Sequence, residues 1–300
     1  MAGSLAPRPS DDANSTRGHQ SVGFDRVLFH VEGWQDARAA VPCVARITRP
    51  GGQVVLLHTW NKRQSWRGGK WDAEPERDAS ALLTGIRSAF NELGLAACTE
   101  LVAASSHELP SCLRRAATHW QADLTVIGLG RSRLRRLGWV PSTEDLTRDS
   151  HPPVLCVTAT PQQPPAPGPV LLSVGTGEDG SSLSAILALS RSWSFTVHVL
   201  HVCRVVQADI ACYAEPEAPA WTTVRKLVTS LQNAGIRADG CVTTSGGRVA
   251  NEILAAAHQA RAGLIVVGGH SPSMGRLRWG TVHELLAITD RPVLVGGSAA

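Results

Sequence analysis

Val27-Leu28-Phe29-His30-Val31 and, 143 residues later, Val170-Leu171-Leu172-Ser173-Val174 read as one buried strand written twice. Leu56-Leu57-His58 returns at the same offset as Val199-Leu200-His201. Ala122-Asp-Leu-Thr-Val-Ile-Gly128 returns as Ala262-Gly-Leu-Ile-Val-Val-Gly268, and Pro153-Val-Leu155 as Pro292-Val-Leu294, at offsets of 140 and 139. Four apolar blocks in the same order at so long a period mean two copies of a whole domain, not a solenoid of small units. Function is therefore to be sought in what each copy keeps and what each has lost.

Around these blocks, short continuous apolar runs alternate with longer amphipathic stretches. The first half offers strands near 26–31, 53–59, 97–103, 123–128 and 153–158. The second offers strands near 170–174, 196–202, 237–243, 263–268 and 292–296, with helices near 181–191, 218–234, 247–260 and 281–288. Apolar strands separated by helices imply a parallel sheet covered on both faces. The expected fold is α/β, with two tandem doubly wound parallel-sheet domains of five strands each, Rossmann-like and related by a pseudo-two-fold. The expected division is a disordered tail over 1–22, a first domain over 23–160, a linker over 161–169 and a second domain over 170–300. The linker holds five prolines in nine residues, a composition that excludes helix and central strand.

The 300 residues suit two domains of ordinary size, and 43% apolar content gives each half a core. A net charge of +4 makes no case for nucleic acid or for a membrane surface. No run approaches the roughly 18 apolar residues of a membrane span, and the polar stretch 1–23 lacks an apolar signal core. Seven cysteines are scattered without a C-x-x-C pair, several in apolar segments such as Val154-Leu-Cys-Val157. Buried, reduced thiols in a cytoplasmic protein are the plain reading. Only 3 of the 29 basic residues are Lys, which points to a GC-rich bacterial genome. Metal binding is not expected, because neither His58 nor His201 has a second ligand at useful spacing.

In doubly wound sheets ligands bind beyond the carboxyl ends of the strands, where the strand order reverses. That rule selects Glu32–Asp36 and Gly128–Ser142 in the first half, and Gly175–Ser181 and Gly268–Thr281 in the second. The last of these runs Gly268-Gly-His270-Ser271-Pro-Ser-Met-Gly-Arg-Leu-Arg-Trp-Gly280-Thr281-Val-His-Glu284. Glycines after a strand let backbone approach a ligand, and a Gly-Thr pair opening a helix offers N–H groups and a hydroxyl to phosphate. Thr281-x-x-Glu284 also reads as a capping box, which explains both residues without a ligand. His270 could touch ribose or phosphate, or be an exposed polar loop residue.

This loop resembles the nucleotide loop of the universal stress protein family, in which the fourth strand runs into Gly, two residues, Gly, nine residues, then Gly and Ser or Thr. The first half is similar at Gly128-Leu-Gly130-Arg-Ser and again at Ser142-Thr143. The resemblance spans both halves nearly end to end. It implies a cytoplasmic stress-response protein that binds ATP or another adenine nucleotide and acts through conformation or partners, without a defined reaction. It also implies pairing of the two domains through their fifth strands, with any further homodimer using another surface. The departures from the family pattern are specific. The Asp that follows the first strand in ATP-binding members is Glu32 in one half and Gly175 in the other. Ser271 stands near the second Gly, the spacing to Gly280 is one residue short, and Pro141 precedes Ser142 where Gly belongs. Two alternatives follow: a slow ATPase or adenylating enzyme using Glu32, Glu178 or Asp179, and a non-binding adaptor with decayed sites. No P-loop, nucleophile elbow or catalytic grouping is present in the sequence.

Overall fold

The structure, a computed structural model, describes residues 23–60, 66–67, 70–71, 74–105, 108–129, 152–158, 168–175, 181–190, 194–208, 211–268 and 277–296. The expectations placed on the tail 1–22, on most of the linker, and on Gly130, Ser142, Glu178, Asp179, His270 and Ser271 lie outside the described residues.

The first half runs β1 (Phe24–His30), α1 (Trp34–Ile47), β2 (Thr48–Trp60), β3 (Trp66–Arg67), β4 (Lys70–Trp71), α2 (Glu74–Glu92), β5 (Ala96–Ala103), α3 (Leu109–His119), β6 (Leu124–Leu129) and β7 (Val154–Thr158). The second runs β8 (Val170–Val174), α4 (Ser181–Ser190), β9 (Thr196–Ala208), β10 (Ala211–Ala214), α5 (Glu217–Asn233), β11 (Arg237–Ser245), α6 (Val249–Gln259), β12 (Leu264–Val267), α7 (Leu277–Ile288) and β13 (Val293–Val295). The α/β fold with a mostly parallel sheet is as expected from the sequence.

One sheet of 11 strands carries the path β10-β9-β8-β12-β13-β7-β6-β1-β2-β5, with β11 also on β9. Each half contributes its five main strands in the order third, second, first, fourth, fifth, so the order reverses between β1 and β6 and again between β8 and β12. All pairings among these main strands within a half are parallel. The halves meet where β13 runs antiparallel to β7, Val293 opposite Cys156, Leu294 opposite Leu155 and Val295 opposite Val154.

Alternation along each strand divides the apolar side chains between two layers. Phe29, Val31, Leu172 and Val174 join residues of α1, α2, α4 and α5 on one face. Leu28, Leu171 and Ile265 join α3, α6 and α7 on the other. Leu155 and Leu294, opposite each other at the seam, both lie in the first layer, so the core runs unbroken from one half to the other. Phe24, Ile47 and Leu124 from one half and Leu189, Leu264 and Leu294 from the other line a single apolar crevice there.

Several elements differ from the sequence reading: β2 begins at Thr48, ahead of the expected 53–59, and β3, β4 and β10 are additional short strands. β9 continues to Ala208, beyond the apolar run, because it turns back through β10 in an antiparallel hairpin. Helix α7 starts at Leu277, before Gly280, not after it. Leu, Arg and Trp are acceptable helix formers, and one interior Gly costs only about 1 kcal/mol.

Candidate functional site

The strand-order reversal in the second half sets β12 beside β8, with Val267 in register with Ser173. Gly268 and Gly175, the next residues to leave these strands, therefore stand at adjacent strand ends. The Gly268 N–H donates to the Ser173 carbonyl at 3.3 Å, which fixes this turn of the chain to β8. Next to β8, His201 of β9 is in register with Val174, and Arg204 of β9 with Ser245 at the end of β11. Ser245 is buried; its hydroxyl accepts from the Gly247 N–H at 3.1 Å and donates to Glu252 at 3.2 Å.

Arg204 reaches from β9 to α7, where its Nη2 donates to the Thr281 hydroxyl at 3.1 Å. Thr281 is the fifth residue of α7, past the first four N–H groups that lack an acceptor within a helix. The capping-box expectation for Thr281 and Glu284 is thereby corrected, as is the idea that Gly280 and Thr281 open the helix. What Thr281 offers a ligand is its side-chain hydroxyl, already beside a guanidinium. Gly280 is exposed, and a Cβ built on it meets no atom of the described residues within 4 Å. Arg204 is absent from the sequence reading because the apolar pattern stops before it; its counterpart one offset earlier is Asn61.

The first half is built differently at the same place. Glu32 follows β1 and Gly128 lies in the neighbouring β6, His30 being in register with Ile127. A Cβ on Gly128 would stand 3.6 Å from the Asp36 carbonyl in the first turn of α1, an ordinary contact, so packing alone does not require glycine there. His30 is 3% exposed, with its Nε2 3.3 Å from the Thr59 hydroxyl. Burial, and secondarily the neighbouring His58, lowers its pKa to about 3, so it is neutral at physiological pH. His58 places Nδ1 2.6 Å from the Val31 carbonyl.

Among the described residues, Cys43, Cys112, Cys156 and Cys203 are buried free thiols, Cys98 is half-buried and Cys241 exposed. Burial pushes Cys43 and Cys156 up to about 12, which leaves them inert as nucleophiles. Burial raises Cys203 as well, and the carboxylates of Glu215 and Glu217 add to it. Ligand atoms of His201, Cys203 and Glu215 all lie within 4.8 Å of one another. The expectation that no second ligand accompanies His201 is corrected. Cys203 lies two residues along the strand, hence on the same face, and Glu215 arrives across the β9–β10 turn.

No family model matches the sequence, and no curated protein does. Solved structures do. A universal stress protein from Archaeoglobus fulgidus DSM 4304 superposes with a TM-score of 0.67 at 15% identity, over 91% of this chain and 96% of that one. The chain has the universal stress protein fold. A candidate universal stress protein from Pseudomonas aeruginosa UCBPP-PA14 gives 0.58 at 19% identity, over 91% and 93%. The cytoplasmic domain of a prokaryotic cation chloride cotransporter gives 0.52 at 13%, over 91% and 95%. One fold thus carries both a free-standing protein and a transporter domain, and function has to be argued from the site.

Proposed function

We propose that the chain is a tandem universal stress protein of the cytoplasm that binds one adenine nucleotide, ATP or a close relative, at the carboxyl edge of its second half. It acts through conformation or partners, with no turnover of its own. The observation that carries this reading is the Arg204–Thr281 hydrogen bond beside the exposed Gly280, one strand from the strand-order reversal marked by Gly175 and Gly268. A fixed guanidinium and a hydroxyl suit a polyphosphate. His270 and Ser271 would complete the loop around it. The first half, with Asn61 for Arg204 and Pro141 before Ser142, is the weaker site, and its Glu32, Gly128, Gly130 and Ser142 are assigned no ligand. Glu178 and Asp179, the candidates for hydrolysis, lie outside the described residues. No helix among the described residues is long and apolar enough to cross a membrane.

The domain division at residues 161–169 belongs to the same proposal. The β7–β13 pairing supports a permanent junction between the copies, leaving other surfaces for any homodimer.

Calorimetric titration of the full chain with ATP and with adenosine tests the site. Thr281→Ala is expected to weaken ATP about tenfold, the worth of one hydrogen bond to a charged group, and to leave adenosine unchanged. An equal loss for both ligands, or no binding of ATP by the full chain, contradicts the reading.

A further inference from the structure

The β9–β10 hairpin brings together a second group of side chains that the nucleotide reading leaves unused. We propose that His201, Cys203 and Glu215 bind a zinc ion on β9, at the base of the β9–β10 hairpin. His201 is 2% exposed and Cys203 0%, side by side on one face of the strand. Glu215 is exposed and follows directly on β10, whose Ala214 is in register with Val205. Its N–H donates to the Arg204 carbonyl at 2.9 Å, and its Oε2 accepts from the Arg204 N–H at 3.2 Å. That clamp holds the carboxylate over the strand, with the ligand atoms of all three residues within 4.8 Å of one another.

Imidazole, thiolate and carboxylate are three donors zinc accepts, at about 2.0–2.3 Å in a tetrahedron, which sets them about 3.3–3.8 Å apart. With the present spacings at 4.8 Å or less, the side chains have at most about 1.0–1.5 Å to close on the ion. A sulfur donor favours zinc over magnesium or calcium, which take oxygen. Charge is suitable too. The carboxylates of Glu215 and Glu217 supply negative charge for a cation, while the Arg204 guanidinium is turned to the opposite face, on Thr281. Binding forms a zinc–sulfur bond and releases the thiol proton to solvent. Three protein ligands leave the fourth position for water or a ligand atom.

The first copy is an internal contrast. His58 occupies the place of His201, but Trp60 stands where the second copy has Cys203. The strand histidine is common to both copies; the thiol and the clamped carboxylate belong to the second alone. The ion would tie the hairpin to the strand that also carries Arg204.

The test is cobalt titration of the full chain after chelator treatment. We expect one equivalent per chain, with the thiolate-to-cobalt charge-transfer band and the visible bands of a four-coordinate site, displaced by zinc and not by equal magnesium. Cys203→Ser abolishes the charge-transfer band, and Cys241→Ser leaves it intact. Glu215→Gln, at an exposed position, lowers zinc affinity at least about tenfold, since loss of a group one step removed from a metal already costs 10–100-fold. No band, a band that survives Cys203→Ser, or unchanged zinc affinity in Glu215→Gln overturns the proposal. If circular dichroism shows Cys203→Ser unfolded, Glu215→Gln decides alone. ATP affinity is measured separately, so failure here leaves the nucleotide reading untouched.

Discussion

At position 30 the first copy buries an imidazole where the second has Ser173. The folded-state pKa of His30, about 3, lies below the ordinary 6.5. The unfolded chain therefore takes up the proton first as pH falls. This residue's contribution is fully present above about 6.5 and is lost progressively as pH drops toward 3, by about 1.4 kcal/mol per pH unit. His30→Ser, the second copy's own solution, is expected to flatten the acid side of the stability curve, read from urea midpoints at pH 7 and pH 5. Equal midpoint shifts in the two proteins would show that His30 is not the buried neutral group described. The sequence disclosed His30 as an apolar-strand residue, but not its Thr59 and His58 neighbours, which depend on strand register. Arg204 and Glu215 were hidden for the same reason. Nothing in local periodicity says that a strand extends past its apolar run into a hairpin that turns a carboxylate back on it.

Helix ends repeat between the copies as faithfully as strands do. After α2 and α5, Gly94 and Gly235 take positive φ of +75° and +79°, and Leu95 and Ile236 donate back to Phe90 and Leu231 at 3.1 and 3.0 Å. After α3 and α6 the same left-handed turn falls on Gln121 and Arg261, both at φ 50°. Their successors Ala122 and Ala262 donate to Ala117 and Ala257 at 2.8 Å. A non-glycine residue in that region costs about 1 kcal/mol. Arg261→Gly is therefore expected to raise stability by about 1 kcal/mol, measured by denaturant unfolding. A neutral or destabilising result would mean that the Arg261 side chain offsets its backbone strain. At this scale the sequence was most legible. The main strands fall on the expected apolar runs because both faces are covered, although β2 begins earlier and β9 ends later than those runs. The start of α7 disagreed because Gly280 was read as a boundary, although it sits exposed inside the helix.

Across the whole molecule, the two copies share a single sheet. Val154, Leu155 and Cys156 face Val295, Leu294 and Val293 in an antiparallel seam, all nearly fully buried. Two apolar edges exposed separately would invite association with other chains; here each covers the other. A chain cut by protease within 161–169 is expected to sediment as one unit, and separated halves would rule out a junction of this strength. The repeat was legible at once, since it needs only matching blocks. The retained Gly268, Gly280 and Thr281 also pointed to the second half as the stronger site; the Arg204 partner of Thr281 was not legible, because it depends on where β9 runs relative to α7. The most direct measurement is a native mass spectrum of the purified full chain with ATP present. One adenine nucleotide per chain is expected, lost in Thr281→Ala at the same ATP concentration. Two nucleotides per chain, none, or one that survives Thr281→Ala but is lost when Glu32 is replaced, would contradict it.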